Sequence, residues 1–437
     1  MTGSLRNIVL FSAVAMLFVA TGVMQSWSLA LALLNLSLIS AVMALGVNIQ
    51  WGYAGLFNVG TMGFAALGGV AGVLISTPPV MEAWSAGGGG IIISLVILLA
   101  TIGLCVYVAR LLGKAHPLRL WAVLLVAIIG YFCARYFFDD AIIAIEAVEP
   151  AKTGFLGGMG LPILFAWLAG GVLAAGAAWI VGKIALGLRS DYLAIATLGI
   201  SEIIVAMLKN EDWLTRGVKN VTGLPRPVPY ETELQAAAWF QDLAQSLGLN
   251  VVDFSTIFVK LCYAALFAIV LIAIMWLSER ALQSPWGRMM RAIRDNETAA
   301  NAMGKNVTAR HLQVFVLGSA VIGIAGAMLT TIDGQFTPAS YQPLRFTFLI
   351  WVMVIVGGSG NNWGAILGGF VIWFFWVQAE PIGLWLMQTI TAGMAADSPL
   401  RAHLIENAAH MRLMTMGLIL LLVLRFYPRG LIPERRR

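Results

Sequence analysis

Apolar runs of about twenty residues recur along the whole chain, the length an α-helix rising about 1.5 Å per residue needs to cross the hydrocarbon of a bilayer. They cover residues 8–24, 29–49, 91–109, 118–138, 161–184, 257–277, 311–332 and 413–426, with shorter runs at 344–356 and 365–378. Hydrophobic residues make up 60% of the 437. That exceeds the roughly 45–50% of soluble domains, so the runs cannot all hide in one core surrounded by water. Alternating ten-residue segments, the mark of a membrane β-barrel, are absent. The expected fold class is all-α, a polytopic helical bundle of about 10–12 transmembrane helices forming a single domain over residues 1–437. Spans and connections leave no room for a separate soluble catalytic domain. If ATP drives this protein, another chain must bind it.

Several classes of function recede on composition. Cys105, Cys133 and Cys262 lie in or beside apolar runs without a C-x-x-C or Cys/His cluster, so neither a disulfide framework nor a metal site is expected. No nucleophile, base and orienting group fall at meaningful spacing, and no catalytic residue is assigned. The net charge of +6 divides among short loops and forms no nucleic-acid stripe. Its distribution reports orientation instead. The run 8–24 is followed at once by another and by no clear cleavage site, which reads as a retained first span. Placing Arg6, the turn with Arg110, Lys114 and Arg119, the pair Lys183/Arg189 and the basic stretch 282–310 in the cytoplasm puts two other regions outside. These are an acidic loop with Asp139, Asp140, Glu146 and Glu149, and the long polar connection 209–255, which holds a small helix near 231–247. Both termini are then cytoplasmic if two crossings flank the break GGSGNNWG.

The stretch WGYAGLFNVGTMGFAALGGVAGVL carries glycines at 52, 55, 60, 63, 68, 69 and 72. Each interior glycine costs a helix about 1 kcal/mol relative to alanine, so a broken helix is expected here. Unwound backbone at membrane depth survives only where it is buried in protein or lines a cavity, often a substrate site; close packing through small residues is the alternative. Ser37, Ala41, Ala44 and Asn48 share one face of the preceding run, and Ser319, Gly323, Ala327 and Thr331 form a small-residue stripe in a later one. The run SDYLAIATLGISEIIVAMLKN starts at Ser190, read as its cap, and holds Glu202, the one carboxylate read as well inside a span. An intramembrane acid is a functional candidate by default, or else pairs with a neighbouring helix. The substrate-path candidates, from helix face and glycine context, are Asn48, Asn58, Thr61, Thr197 and Ser201, with Glu202 beside them. A loop containing GGGG is expected at 77–90, and a partly amphipathic outer loop at 380–412.

The polar island 282–310 stands apart, with Arg288, Arg291, Arg294, Lys305 and Arg310 in a chain that is only 11% charged. Ser284 before Pro285 makes a good helix start. Trp286, Met289, Met290 and Ile293 recur on one side of that helix and the arginines on another, so it is amphipathic. Asp295 or Asn296 can cap a second short helix through ETAANAM, Gly304 suits its left-handed end, and Thr308 is read as capping the next span. The pair reads as a docking surface, or as an ordinary basic loop held to lipid head groups.

Taken together, ALGVNIQWGYAGLFNVGTMGFAALGG, SDYLAIATLGISEII, SPWGRMMRAIRDNETAANAMG, IGIAGAML, VIVGGSGNNWGAILGG and LRFYPRGLIP resemble one family. It is the permease subunits of bacterial branched-chain amino-acid ABC importers, of the LivM type, and the resemblance spans residues 29–76 and 186–437. It implies half of a pore for branched-chain or similar amino acids in the bacterial inner membrane. The implied partners are two cytoplasmic ATPase subunits, a second related permease and a periplasmic substrate-binding protein. ATP and Mg would sit on the ATPases, with no cofactor on this chain. It implies ATPase coupling through Arg288, Arg291, Arg294, Asp295, Glu297, Ala299, Ala300 and Gly304, where the alanines permit close approach and the arginines give charge-assisted hydrogen bonds. Residues 91–138 look like an extra helix pair. A permease for urea or short amides, and an ion-coupled secondary transporter using Glu202, are the competing readings.

Overall fold

The computed structural model describes residues 3–113, 116–149, 153–394 and 398–434. The helices used below are α1 (Gly3–Met24), α2 (Trp27–Val47), α3 (Thr61–Ser76), α4 (Gly89–Leu111), α5 (Arg119–Glu146), α6 (Leu164–Ala185) and α7 (Ser190–Asn210). They continue as α8 (Val251–Gln283), α9 (Pro285–Asp295), α10 (Glu297–Ala302), α11 (Val307–Asp333), α12 (Pro343–Gly357), α13 (Asn362–Ile390) and α14 (Met411–Phe426). Among the described residues ten helical stretches are long and apolar enough to cross a membrane, and α3 and α12 are shorter apolar helices. The chain is a multi-pass membrane protein.

The centre is formed by α2, α3, α6 and α11, and small residues decide how closely they meet. A Cβ added to Gly68 would overlap the Gly323 carbonyl, one at Gly326 the Ala65 carbonyl, and one at Gly323 the Gly170 carbonyl. Backbones therefore touch where larger side chains would hold them apart. The expected stripe on α11 is this contact: Ser319, Gly323, Ala327 and Thr331 are all buried, and Trp167 Nε1 donates to Thr331 Oγ1 at 2.9 Å. In α2, Ser37, Ala41 and Ala44 are buried too, as is Asn48 just beyond its end, with Gly369 of α13 against Ala41. The helix pair α4 and α5 is the opposite case. Only 6% of each apolar window is buried, and the pair is moored at one end, where Ala83, Ile145 and Leu156 cluster.

Polar residues shift several boundaries. α5 continues through Asp139, Asp140 and Glu146, so most of the expected acidic loop is helix; backbone bonding does not end where the apolar run does, and Arg135 pairs with Asp139 at 2.9 Å. Within 77–90, Met81–Ala83 and Trp84–Gly88 are helical and lead straight into α4, because Gly87 and Gly90 pack against Ala141. The connection expected at 209–255 runs 211–250, since α7 reaches Asn210 and α8 starts at Val251; its single small helix is two, Glu231–Ala236 and Ala238–Ser246, parted at Ala237. The expected loop 380–412 begins as helix, because α13 accommodates Pro381 and runs to Ile390, and a further helix covers Pro399–Glu406. Ser190 is the first residue of α7 and caps nothing, and Asn306, not Thr308, caps α11 by accepting from Ala309 N at 3.0 Å. A two-residue antiparallel pairing, Val221–Thr222 with Gln335–Phe336, closes the end away from the island.

Candidate functional site

The break between α2 and α3 is where polar groups converge. α2 widens into a π-turn at Asn48–Gly52, and the chain leaves the helix at Gly55, whose φ of +70° suits glycine. Freed backbone groups then need partners inside the bundle. Leu56 N donates to Gln50 O at 3.0 Å, Gly60 N to Asn58 Oδ1 at 2.9 Å, and Val59 N to Thr197 Oγ1 of α7 at 3.1 Å. Gln50 ties the break to α11, donating to Phe315 O at 2.9 Å and Ser319 Oγ at 3.1 Å while accepting from Asn58 Nδ2 at 2.9 Å. Trp351 of α12 donates to Asn58 O at 3.0 Å and stacks edgewise with Trp51 and Phe57. Thr61 Oγ1 meets Thr347 Oγ1 at 2.9 Å.

At the basic end the π-turn is held by a second set. Asn48 Nδ2 donates to Asn362 Oδ1 at 3.0 Å and its Oδ1 accepts from Gly360 N at 2.9 Å; Asn362 in turn donates to Glu279 Oε1 at 3.0 Å. Tyr53 OH also donates to Asn362 Oδ1, at 3.2 Å.

Of the path candidates, Asn48, Asn58, Thr61, Thr197 and Ser201 are buried and gather at this break, with Ser201 Oγ pressed against Gly63 and lacking a hydrogen-bond partner. Glu202 does not join them. One residue along α7 from Ser201, it lies on the exposed side, and no hydrogen bond or ion pair is made by it among the described residues. The carboxylate that does join the polar cluster is Glu279, near the end of α8 and beyond its apolar run. Gln50, Glu279, Thr347, Trp351 and Asn362 are the site residues that sequence reasoning missed. The amide-rich NNWG after the GGSG break was the available signal for Asn362.

The island folds as a helix pair. Pro285 stands at the first position of α9 as expected, but Ser284 Oγ bonds back to Ala281 O at 2.6 Å and does not cap it. Met290 and Ile293 are fully buried beneath α9. Asn296 caps α10 by accepting from Ala299 N at 2.9 Å, and Gly304, at φ +75°, ends it. Asp295, Glu297, Ala299 and Gly304 are exposed and Ala300 is buried, and Met303, at 79% exposed, leaves an apolar tip. Arg288 is exposed, Arg291 is half-buried with its fork on Leu282 O at 3.3 Å, and Arg294 turns inward. A cleft of about 1160 Å³ bounded by Arg288, Arg291, Arg294, Glu279, Asn361 and Glu434 opens beside them.

A helical bundle with unwound backbone buried at its centre, walled by amides and hydroxyls, has the architecture of a membrane transport permease. Residues 29–424 match the family described as branched-chain amino acid transport system, permease component, and the chain belongs to that family. It is similar to the high-affinity branched-chain amino acid transport system permease protein LivM of Escherichia coli K12, with 30% identity over 205 residues, 46% of this chain and 47% of the relative. A probable LivM permease of Methanocaldococcus jannaschii is 30% identical over 157 residues, 36% of this chain and 42% of that protein. The fructose import permease protein FrcC of Rhizobium meliloti is 25% identical over 131 residues, 29% and 34% of the two chains. The match spans about half the length, or less, of these curated relatives. No solved structure matches the chain.

Proposed function

We propose that this chain is the permease subunit of an ATP-driven ABC importer in a bacterial inner membrane, forming half of the route by which branched-chain or similar amino acids enter the cytoplasm. The observation that carries the reading is the exposed tip of α9 and α10, with Ala299, Met303 and Gly304 outward, on a helix pair whose base is packed into the bundle beside the broken crossing. An apolar tip flanked by Arg288, Asp295 and Glu297 fits a groove on a cytoplasmic ATPase, and both termini then lie in the cytoplasm. Two ATPases, a second related permease and a periplasmic substrate-binding protein complete the importer; ATP and Mg belong to the ATPases, and this chain catalyses no reaction of its own. The connection 211–250 and the segment before α14 then face the periplasm, and α4 and α5 are an added helix pair. The route passes the break at Asn48, Asn58, Thr61, Thr197 and Ser201. The LivM relatives support amino acids as cargo over urea or short amides. Ion coupling is not favoured, since Glu202 stands outside the polar cluster.

The test is co-purification of the tagged chain with its ATPases from native membranes, followed by leucine uptake into vesicles. Ala299→Glu/Met303→Glu is expected to lower ATPase recovery about tenfold or more, because a carboxylate would be buried there unpaired. A well-folded wild type that brings down no ATPase and shows no ATP-dependent uptake removes the reading.

A further inference from the structure

Arg294 sits near the end of α9, yet its guanidinium faces the protein. Nη1 donates to Gly52 O, within the π-turn that opens the break. Nη2 pairs with Glu434 Oε2 at 3.0 Å and with the neighbouring Asp295 Oδ1 at 3.3 Å. Arg294 and Glu434 are 23% and 25% exposed, against 69% for Asp295. The loop before α13 is clamped in the same place: a Cβ at Gly360 would press on Glu434 and Arg294, and a Cβ at Gly52 would overlap Asn48 Oδ1 and Gly360 N. One guanidinium thus touches the docking element, the broken crossing and the last described residues of the chain.

We propose that Arg294 is a positioning residue that transmits displacement of the α9–α10 pair into the break, with Glu434 holding its fork on the Gly52 carbonyl. This rests on the reading of that pair as the ATPase-docking element. The forked guanidinium is what the role requires, since it donates in two directions at fixed angles, whereas an ammonium is a point charge on a flexible stem. Beyond Gly52 the path is continuous. Gln50 belongs to the same π-turn, accepts from Asn58 and donates to α11, so movement at the Gly52 carbonyl reaches the centre of the break through two further hydrogen bonds.

The experiment uses the full importer in nanodiscs for amide hydrogen exchange and in proteoliposomes for solute imported per ATP hydrolysed. Arg294→Gln is expected to speed exchange across 48–60 by about tenfold or more, the effect of losing a charge-assisted bond on local opening. Glu434→Gln, which leaves the arginine in place and perturbs folding least, shifts exchange the same way. Arg110→Gln, exposed in the last turn of the peripheral α4, leaves exchange at 48–60 as in wild type. Solute imported per ATP falls in Arg294→Gln and Glu434→Gln while ATP hydrolysis persists, and Arg294→Lys recovers only part of it. Wild-type exchange at 48–60 in both Arg294→Gln and Glu434→Gln overturns the linkage. Faster exchange with unchanged solute per ATP makes Arg294 a structural tie only and overturns transmission. A wild type showing no ATP-driven import overturns the functional reading, and transmission with it, whatever the exchange data show.

Discussion

Gly326 and Gly199 are both glycines in long apolar helices, yet a methyl group added to each meets different surroundings. At Gly326 it would strike the backbone of Ala65, and neither helix can yield without parting α3 from α11; at Gly199 it meets nothing within 4 Å. Gly326→Ala is therefore expected to lose about 1–3 kcal/mol through overpacking. Gly199→Ala in the isolated chain gains up to about 1 kcal/mol from helix propensity. Thermal unfolding of the two variants in the same detergent measures the difference, and equal midpoints would refute the close-packing account. The same scale shows why the inward turn of Arg294 was not legible. Its partner Gly52 is 242 positions away, and charge on an amphipathic helix looks alike whether it faces a partner protein or a carbonyl of its own chain.

Elements were legible where local chemistry punctuates them. Pro285, Asn296 and Gly304 each have a backbone consequence within a few residues, and the α9–α10 pair forms where they stand. The glycine density of 52–72 was legible only in part: Gly52, Gly55 and Gly60 stand in the break, while Gly63, Gly68, Gly69 and Gly72 lie in the regular helix α3, where Gly68 packs against the Gly323 carbonyl. Ends governed by tertiary contacts were not legible: α5 outlasts its apolar run, and α13 passes Pro381. Asn296→Ala removes the cap of a helix only six residues long. It is expected to cost that helix about 1 kcal/mol and to raise amide exchange in 297–303 about fivefold. Unchanged exchange would mean that packing of Ala300, not the cap, holds α10.

The whole molecule divides by burial: the apolar window of α2 is 83% buried and those of α4 and α5 6%. Replacing 89–146 by a short linker is therefore expected to leave the thermal midpoint of the α2, α3, α6 and α11 centre close to that of the intact chain. A fall as large as that of Gly326→Ala would show that the pair braces the bundle. The polar cluster at the break was legible only in part because its members come from remote stretches, Val59 pairing with Thr197, Asn58 with Trp351, and Asn48 with Asn362. That arrangement bears on how the protein is made. Asn48 and Asn362 are 314 positions apart, so the early residues of the break leave the ribosome long before their last partners exist. Until α13 has been synthesised, the π-turn must wait with part of its bonding unmet, and biogenesis is committed to completing this spot late, after most of the chain is already in the bilayer.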